Sequence, residues 1–293
     1  MLLIAPARSV TESDIHAFKA WTAEQGWNLE YAPNLFGVDH QFSGDDVKRS
    51  DDLAWAFSHP SAKAIFTARG GYGAMRTMES LAKKVGDIDK WLLNQKPKWF
   101  VGFSDMTTIH LWLNKNQWAS VHGPVASQWG QKHNGVKYNV EVLSNLLSGK
   151  PTSLEVNPDL GVRVCPFSAP VIGGNLSLIY ASLGTPFQPI TEGKVLLLED
   201  LDEYLYHVDR MIRSCKYAGL FNSIKALLVG SMIDMKDNAI PFGKTTREII
   251  VEALGDMGFP ILFDVEIGHD QRNHAIKLGC DINFDLSILS QNP

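Results

Sequence analysis

The stretch Trp99-Phe-Val-Gly102-Phe-Ser104-Asp105 decides the fold of this chain. An apolar run ends just after a glycine, a serine follows one residue past it, and residues 106–116 continue in a helical pattern. A strand, a sharp turn and a helix in this order are typical of a nucleophile elbow, which presents a serine hydroxyl at the carboxyl end of a strand. The second glycine of the usual pattern is replaced by Met106. The alternative is that Ser104 only caps the helix.

The same alternation of apolar runs and amphipathic segments extends through the N-terminal half. It predicts βαβ units and a mostly parallel sheet. The predicted strands are 2–5, 27–32, 64–67 and 99–103, and the predicted helices are 11–25, 45–58, 74–85 and 106–116.

The second half has a different rhythm, and a polar segment at residues 144–158 separates it from the first. We predict a nucleophile-bearing α/β domain at 1–150, a linker at 151–165 and a smaller mixed α/β domain at 166–293 that bears an acid and a histidine. In that domain we expect strands at 193–198, 224–229 and 261–265, helices at 206–218 and 245–257, and a β-hairpin at 276–289.

A glycine-rich loop, Thr67-Ala-Arg-Gly-Gly-Tyr-Gly73, lies between a predicted strand and a predicted helix. Glycines let a backbone approach a ligand closely, and one of these N–H groups could stabilise an oxyanion beside the N–H of Asp105. A tight turn is the alternative. The spacing does not match G-x-G-x-x-G and no Walker lysine follows, which argues against a nucleotide site.

Two other chemically active groups follow apolar strands in the second half. Glu199 and Asp200 follow Val195-Leu-Leu-Leu, and His269 follows the strand at 261–265. Ligands bind at the carboxyl ends of strands in open α/β sheets, so an acid here could orient a histidine that deprotonates Ser104. The alternatives are solvated acids at a strand end and a structural histidine.

Composition excludes several classes of function. A net charge of −5 and a pI near 6.0 do not fit a nucleic-acid-binding protein. No run approaches the ~20 apolar residues of a membrane span, and the apolar start is too short for a secretory signal. The three cysteines, Cys165, Cys215 and Cys280, are widely spaced, which predicts neither a zinc site nor disulfides. We therefore expect a cytoplasmic protein.

The sequence resembles the LD-carboxypeptidases, the muramoyltetrapeptide carboxypeptidase group of serine peptidases, which also includes microcin C self-immunity proteins. The resemblance spans nearly the whole chain, with its blocks in the family's order. These blocks are Ala68-Arg-Gly-Gly-Tyr-Gly-Ala-Met-Arg76, Gly102-Phe-Ser-Asp105, His122-Gly-Pro124, Gly173-Gly-Asn-Leu-Ser177, Leu198-Glu-Asp200 and Gly268-His269 with Asn273.

The resemblance implies a fold, an activity and a site. The fold is α/β, with an N-terminal Rossmann-like or flavodoxin-like parallel sheet domain and a smaller C-terminal mixed α/β domain. The activity is release of a C-terminal D-amino acid, D-Ala, from murein tetrapeptides in cell-wall recycling, with no metal, no cofactor and a homodimeric assembly. The implied catalytic residues are Ser104, Glu199 and His269, with Glu203 as a competitor for the acid, and the implied oxyanion donors are the N–H groups of Gly71 and Asp105.

The residues that contact substrate stay open at this point. Arg69 and Arg76 flank the glycine loop and suit a terminal carboxylate, although a structural ion pair explains them equally well. Tyr72 could pack on the substrate or fill the domain interface, and Glu203 is a further candidate contact. A self-immunity peptidase or amidase that cleaves a peptidyl-nucleotide, and a non-enzymatic ligand-binding module, are the rival functions.

Overall fold

The computed structural model describes residues 1–156, 165–285 and 287–292. Its helices are α1 (Glu12–Glu24), α2 (Asp46–Ser58), α3 (Ala74–Val85), α4 (Ile88–Leu93), α5 (Thr107–Lys115), α6 (Gly135–Leu147), α7 (Leu176–Ala181), α8 (Leu205–Tyr217) and α9 (Thr246–Leu254). Its strands are β1 (Leu2–Ile4), β2 (Glu30–Tyr31), β3 (Ala64–Thr67), β4 (Trp99–Gly102), β5 (Ser120–His122), β6 (Thr152–Glu155), β7 (Phe167–Asn175), β8 (Val195–Leu201), β9 (Ala226–Ile233), β10 (Ile261–Leu262), β11 (Ile276–Leu278), β12 (Asp281–Asp285) and β13 (Ile288–Gln291).

The first sheet has the strand order β11-β5-β4-β3-β1-β2. Strands β1 to β5 are all parallel, and only the edge strand β11 is antiparallel. β1, β3 and β5 are buried along their whole length, which is typical of a parallel sheet covered by helices on both faces. This confirms the flavodoxin-like parallel sheet expected for the N-terminal half, with β5 added at residues for which no strand was predicted.

The second sheet has the order β10-β9-β8-β7-β12-β13-β6. β7 to β10 run parallel, whereas β12, β13 and β6 join antiparallel beside β7. The mixed α/β architecture predicted for the C-terminal half is therefore confirmed. The carboxyl ends of β8 and β9 carry the acidic and polar residues of the candidate site.

The C-terminal tail differs from the predicted hairpin at 276–289. β11 leaves the second half and pairs with β5 of the first sheet, with Ile276 opposite His122, while β12 and β13 form the hairpin. All three residues of β11 are buried, so the strand needs cover on both faces, and the junction of the two sheets supplies it. Leu286, within the predicted hairpin, lies outside the described residues.

The predicted linker at 151–165 begins with structure of its own. Thr152–Glu155 forms β6 and pairs with β13 at the edge of the second sheet. Residues 157–164 of that linker lie outside the described residues. The boundary between two domains near residue 150 stays a prediction.

Local sequence sets most helix starts, and one exception matters for the site. Thr11 forms a capping box with Asp14 at α1, and the Asp45 side chain accepts the N–H of Lys48 at α2. Helix α3 has Gly73 in the cap position, so its own sequence offers no capping side chain. The free N–H groups at the start of α3 must find an acceptor elsewhere.

Candidate active site

Ser104 lies in a strained turn between β4 and α5. Its φ is +63°, in the left-handed region, which costs a residue with a side chain on the order of 1–3 kcal/mol. No side chain caps the turn or the start of α5, so the alternative that Ser104 serves as a helix cap is wrong. The turn has the strand–turn–helix form of a nucleophile elbow.

The glycine loop packs directly against the serine. A Cβ built on Gly70 would lie 3.1 Å from the Ser104 Cβ and 3.3 Å from its Oγ, so a residue with a side chain would crowd the hydroxyl. Gly71, next along the loop, has a φ of +102°. Its N–H makes no hydrogen bond to any residue that the structure describes. The loop thus brings an unpaired backbone donor beside Ser104.

Asp105 joins the serine turn to the glycine loop through its side chain. Its Oδ2 accepts the N–H of Ala74 at 2.7 Å and thereby supplies the cap that Gly73 cannot give to α3. The carboxyl is almost fully buried, and burial raises its pKa to about 6, against the lowering effect of the backbone N–H groups. The Gly-x-Ser-Asp block therefore encodes both a turn and the bond that holds a neighbouring loop in place.

Glu199 and His269 form a preassembled pair. Glu199 Oε2 accepts the Nδ1–H of His269 at 2.6 Å, and the carboxylate is fully buried. Because Nδ1 carries the proton, Nε2 is the nitrogen left to accept one. The pair needs a glycine before the histidine, since a Cβ on Gly268 would lie 2.8 Å from Glu199 Oε2.

The backbone of His269 is fixed from a third strand. Its N–H donates to the Ser231 hydroxyl of β9 at 2.7 Å, while the N–H of Gly268 donates to Asn273 Oδ1 at 3.0 Å. The imidazole packs on Phe103, with 4.7 Å between ring centroids. Phe103 immediately precedes Ser104, so folding brings the histidine to the serine turn. No hydrogen bond joins the Ser104 hydroxyl to the imidazole in the described structure.

Two adjacent carboxyl groups have opposite electrostatics. Burial by itself would raise the pKa of Glu199, but the imidazoles of His122 and His269 outweigh it and lower the pKa to about 2. Asp200 has its pKa raised to about 7, chiefly by burial and by the charge of Glu199, although Asn175 and two backbone N–H groups donate to it. Glu199 is therefore the acid held in its charged form.

The sequence left Glu199 and Glu203 as competitors for the acid, and the geometry separates them. Glu203 Oε2 accepts from His207 Nδ1 at 2.6 Å, one helical turn along. No hydrogen bond or ion pair joins it to His269 in the described residues, so the geometry favours Glu199 as the partner of that imidazole.

The two basic residues that flank the glycine loop have different surroundings. Arg76 binds both carboxylate oxygens of Asp46, at 3.0 and 2.6 Å, which is the structural ion pair that the sequence left open. Arg69 is exposed. Tyr72 is half-exposed, and its ring lies 6.0 Å from that of Phe42 rather than in a buried interface.

Comparison with known proteins decides the family. The LD-carboxypeptidase N-terminal domain matches residues 2–123, and the LD-carboxypeptidase C-terminal domain matches residues 168–284. The chain belongs to the LD-carboxypeptidase family. Membership indicates a carboxypeptidase, that is, a hydrolase, and it confirms the resemblance drawn from the sequence blocks.

Two relatives match this chain over almost its full length. The probable murein peptide carboxypeptidase of Bacillus subtilis is 28% identical over 285 residues, covering 94% of this chain and 86% of that protein. The murein tetrapeptide carboxypeptidase of Pseudomonas aeruginosa is 24% identical over 287 residues, covering 94% and 90%.

Solved structures share the fold at lower identity. Muramoyltetrapeptide carboxypeptidase from Oxalobacter formigenes superposes with a TM-score of 0.84 at 23% identity and covers 100% of both chains. The structure of MccF in complex with glutamyl sulfamoyl guanosine superposes with a TM-score of 0.83 at 18% identity, covering 100% of this chain and 95% of that one. At these identities the likeness concerns the fold.

Sequence reasoning assigned no role to His122, which the structure places beside the acid. The residue ends β5 and is fully buried, and neither ring nitrogen has a hydrogen-bond partner. Its Nε2 lies 4.0 Å from Glu199 Oε1, which is also buried and unpartnered. The available signal was a histidine in the His122-Gly-Pro124 block at the end of a short apolar run.

Across residues 1–156, 165–285 and 287–292, no group of three or more His, Cys, Asp or Glu side chains is arranged to hold a metal ion. In the same residues, no helix has the length and apolar character needed to cross a membrane.

Proposed function

We propose that this chain is a serine carboxypeptidase that hydrolyses the L,D-amide bond releasing a C-terminal D-amino acid, D-Ala, from murein tetrapeptides in cell-wall recycling. The observation that carries the proposal is the 2.6 Å contact between Glu199 and His269, packed against the residue that precedes Ser104. The substrate class is supported by family membership and by relatives named for murein peptides.

The chemistry follows from the positions of these groups. Ser104 Oγ attacks the scissile carbonyl carbon as His269 Nε2 takes the hydroxyl proton, which forms a tetrahedral intermediate with its negative charge on oxygen. Collapse of the intermediate breaks the C–N bond, His269 returns the proton to the leaving amine, and an acyl-enzyme remains. Water, deprotonated by the same imidazole, then releases the acyl group and regenerates Ser104.

The oxyanion donors are the N–H groups of Gly71 and Asp105. Gly71 offers an N–H without a partner beside Ser104, and Asp105 follows the nucleophile at the start of the turn. In comparable sites one such donor contributes about 3–4 kcal/mol to stabilising the transition state. The buried side-chain bond from Asp105 to Ala74 holds the two donor segments together.

Glu199 fixes the tautomer of His269 and stabilises the imidazolium that forms. His122 acts as a positioning residue for this acid, because its fully buried imidazole lies 4.0 Å from the second oxygen of Glu199 and neither group has a hydrogen-bond partner among the described residues. We assign the enzyme to the cytoplasm as a homodimer, in line with the family, and sedimentation at micromolar concentration tests the assembly.

Replacement of the nucleophile tests the proposed function. Ser104→Ala should reduce D-Ala release from murein tetrapeptide by at least about 10⁴-fold, since the triad acts as a unit. Thermal melting should show an intact fold. Alanine keeps a Cβ at a φ of +63°, so the backbone strain of the turn is unchanged. Full activity in this variant would contradict the serine mechanism.

A second candidate keeps the triad and changes the substrate to a peptidyl- or aminoacyl-nucleotide. It is favoured by the likeness to MccF in complex with glutamyl sulfamoyl guanosine. Turnover of an aminoacyl sulfamoyl nucleoside and of murein tetrapeptide by the same preparation distinguishes the two. If the protein turned over neither and a fluorophosphonate failed to label Ser104, a non-enzymatic binding module would be favoured.

A further inference from the structure

A carboxypeptidase must recognise the terminal carboxylate, and the arginines near the glycine loop differ in whether they are free to do so. Arg76 is held by both oxygens of Asp46. Arg49 is buried and donates to Asp46, Gly44 and Thr77. Their guanidinium groups are therefore already committed to acceptors within the protein.

Arg69 lies close enough to the start of α1 for its charge to act on Asp14. Hydrogen bonds from Thr11 lower the pKa of Asp14, and the positive charge of Arg69 adds to that lowering. Its charge therefore acts on a carboxylate at the helix start, although no ion pair forms between the two in the described residues.

Among the described residues, Arg8 is neither bonded to an acceptor, as Arg49 and Arg76 are, nor acting on a carboxylate, as Arg69 is. It follows β1 by four residues, at the carboxyl edge of the first sheet, and its side chain is exposed. Its guanidinium makes no hydrogen bond or ion pair with any residue in the described part of the chain. An exposed arginine without an acceptor, at the edge where ligands bind in such sheets, is available to a substrate.

The stem of Arg8 lies over the glycine loop. A Cβ built on Gly71 would lie 2.4 Å from Arg8 Cδ and 2.9 Å from its Nε. A Cβ built on the neighbouring Gly70 would lie 3.3 Å from Ser104 Oγ. The Arg8 side chain therefore lies next to Gly71, whose N–H is unpaired, and Gly70 lies next to the Ser104 hydroxyl. Two residues of the glycine loop thus separate the arginine from the nucleophile.

That order matches the chemistry of the substrate. In a peptide with a free C-terminal residue, the carboxylate is attached to the same carbon as the scissile nitrogen. When the scissile carbonyl sits between Ser104 and the Gly71 N–H, the carboxylate lies just beyond that donor. We propose that Arg8 binds the terminal carboxylate of the substrate, an inference that rests on the proposed function, and that its planar fork does so bidentately.

Kinetics on a matched substrate pair test Arg8. The substrates are murein tetrapeptide with a free terminal D-Ala and the same peptide with D-Ala amide. Arg8→Gln should lower kcat/KM for the free acid by about 10- to 100-fold, mainly through KM, and change the amide by less than about threefold. Arg8→Lys, which keeps the charge but loses the fork, should fall between. Arg213→Gln, at an exposed ion pair on α8, is the matched control.

Binding to Ser104→Ala separates this inference from the proposed activity. By calorimetry, Ser104→Ala should bind the free acid more tightly than the amide, and adding Arg8→Gln should remove the preference. Equal loss on both substrates, an unchanged preference, or the loss appearing in Arg69→Gln instead would overturn the role of Arg8. Wild-type protein that releases no D-Ala but keeps an Arg8-dependent preference would contradict the proposed reaction and support the carboxylate site.

Discussion

The serine side and the acid–base side of the candidate site are built in different ways. The serine side is mostly backbone: a strained turn, a glycine loop in close contact with it, and one side-chain bond from Asp105 to Ala74, 31 residues away. The acid–base side consists of side chains: His269 and Glu199, 70 residues apart, meet in a hydrogen bond at 2.6 Å, and the carboxylate is fully buried.

This difference predicts different consequences of substitution. On the serine side a side chain such as Asp105 supports the position of a whole loop, so its loss should disturb stability and catalysis together. On the acid–base side one hydrogen bond joins Glu199 and His269, so an isosteric replacement there should act mainly on catalysis. The predictions below probe that contrast.

Among the variants that probe this contrast, the largest effect is expected at the acid. Glu199→Gln keeps the shape and removes the charge that selects the tautomer of His269, so kcat for D-Ala release should fall by about 10³- to 10⁴-fold. The melting temperature should fall modestly, because the two imidazoles that lower the pKa of Glu199 stabilise its charge and the neutral amide loses that interaction.

Glu203→Gln is the matched control for that experiment. Glu203 pairs with His207 and not with His269, so its kcat should stay within a fewfold of wild type. Similar losses in the two variants would break the contrast, since they would mean that the carboxylates share one network.

A smaller effect is expected at His122, one step behind the acid. His122→Phe retains a ring against Phe103 but removes the imidazole nitrogen that lies 4.0 Å from Glu199 Oε1, so kcat should fall by about 10- to 100-fold with KM unchanged. His122→Gln, which restores an N–H donor, should recover most of the activity. If the two variants behaved alike, His122 would serve packing alone.

The sequence predicted the serine side more completely than the acid–base side. β4, the turn at Ser104 and the glycine loop depend on local signals, namely an apolar run and glycines. Glu199 and Glu203 lie about one helical turn apart in the sequence. The sequence alone therefore does not show which of the two carboxylates faces His269.

The role of His122 was hidden by topology. β5 is only three residues long, too short to show a strand pattern in the sequence, and its partner β11 arrives from more than 150 residues further along the chain. The tail contributes β11 to the first sheet, and this strand sets the surroundings of His122. The local sequence pattern had instead predicted that the tail forms a hairpin with itself. Long-range pairing is the information that a single sequence did not supply here.

The smallest effect is a pH dependence on the serine side. The pKa of Asp105 is raised by burial from 3.8 to about 6 in the folded protein. Between these values the folded state retains a proton that the unfolded chain releases, so the free energy of unfolding falls as the pH rises from about 4 to about 6. Asp105→Asn removes that titration while keeping an oxygen for the N–H of Ala74.

Urea unfolding at pH 4.5 and at pH 7 measures the difference. Between pH 4.5 and pH 7, the free energy of unfolding of wild-type protein should fall by on the order of 2 kcal/mol more than that of Asp105→Asn. Asp200, whose raised pKa acts in the same direction, is present in both proteins and cancels from the comparison. Parallel stability curves would mean that the Asp105 carboxyl is not the buried titrating group that links the serine turn to α3, and the serine side would then owe its stability to backbone contacts alone.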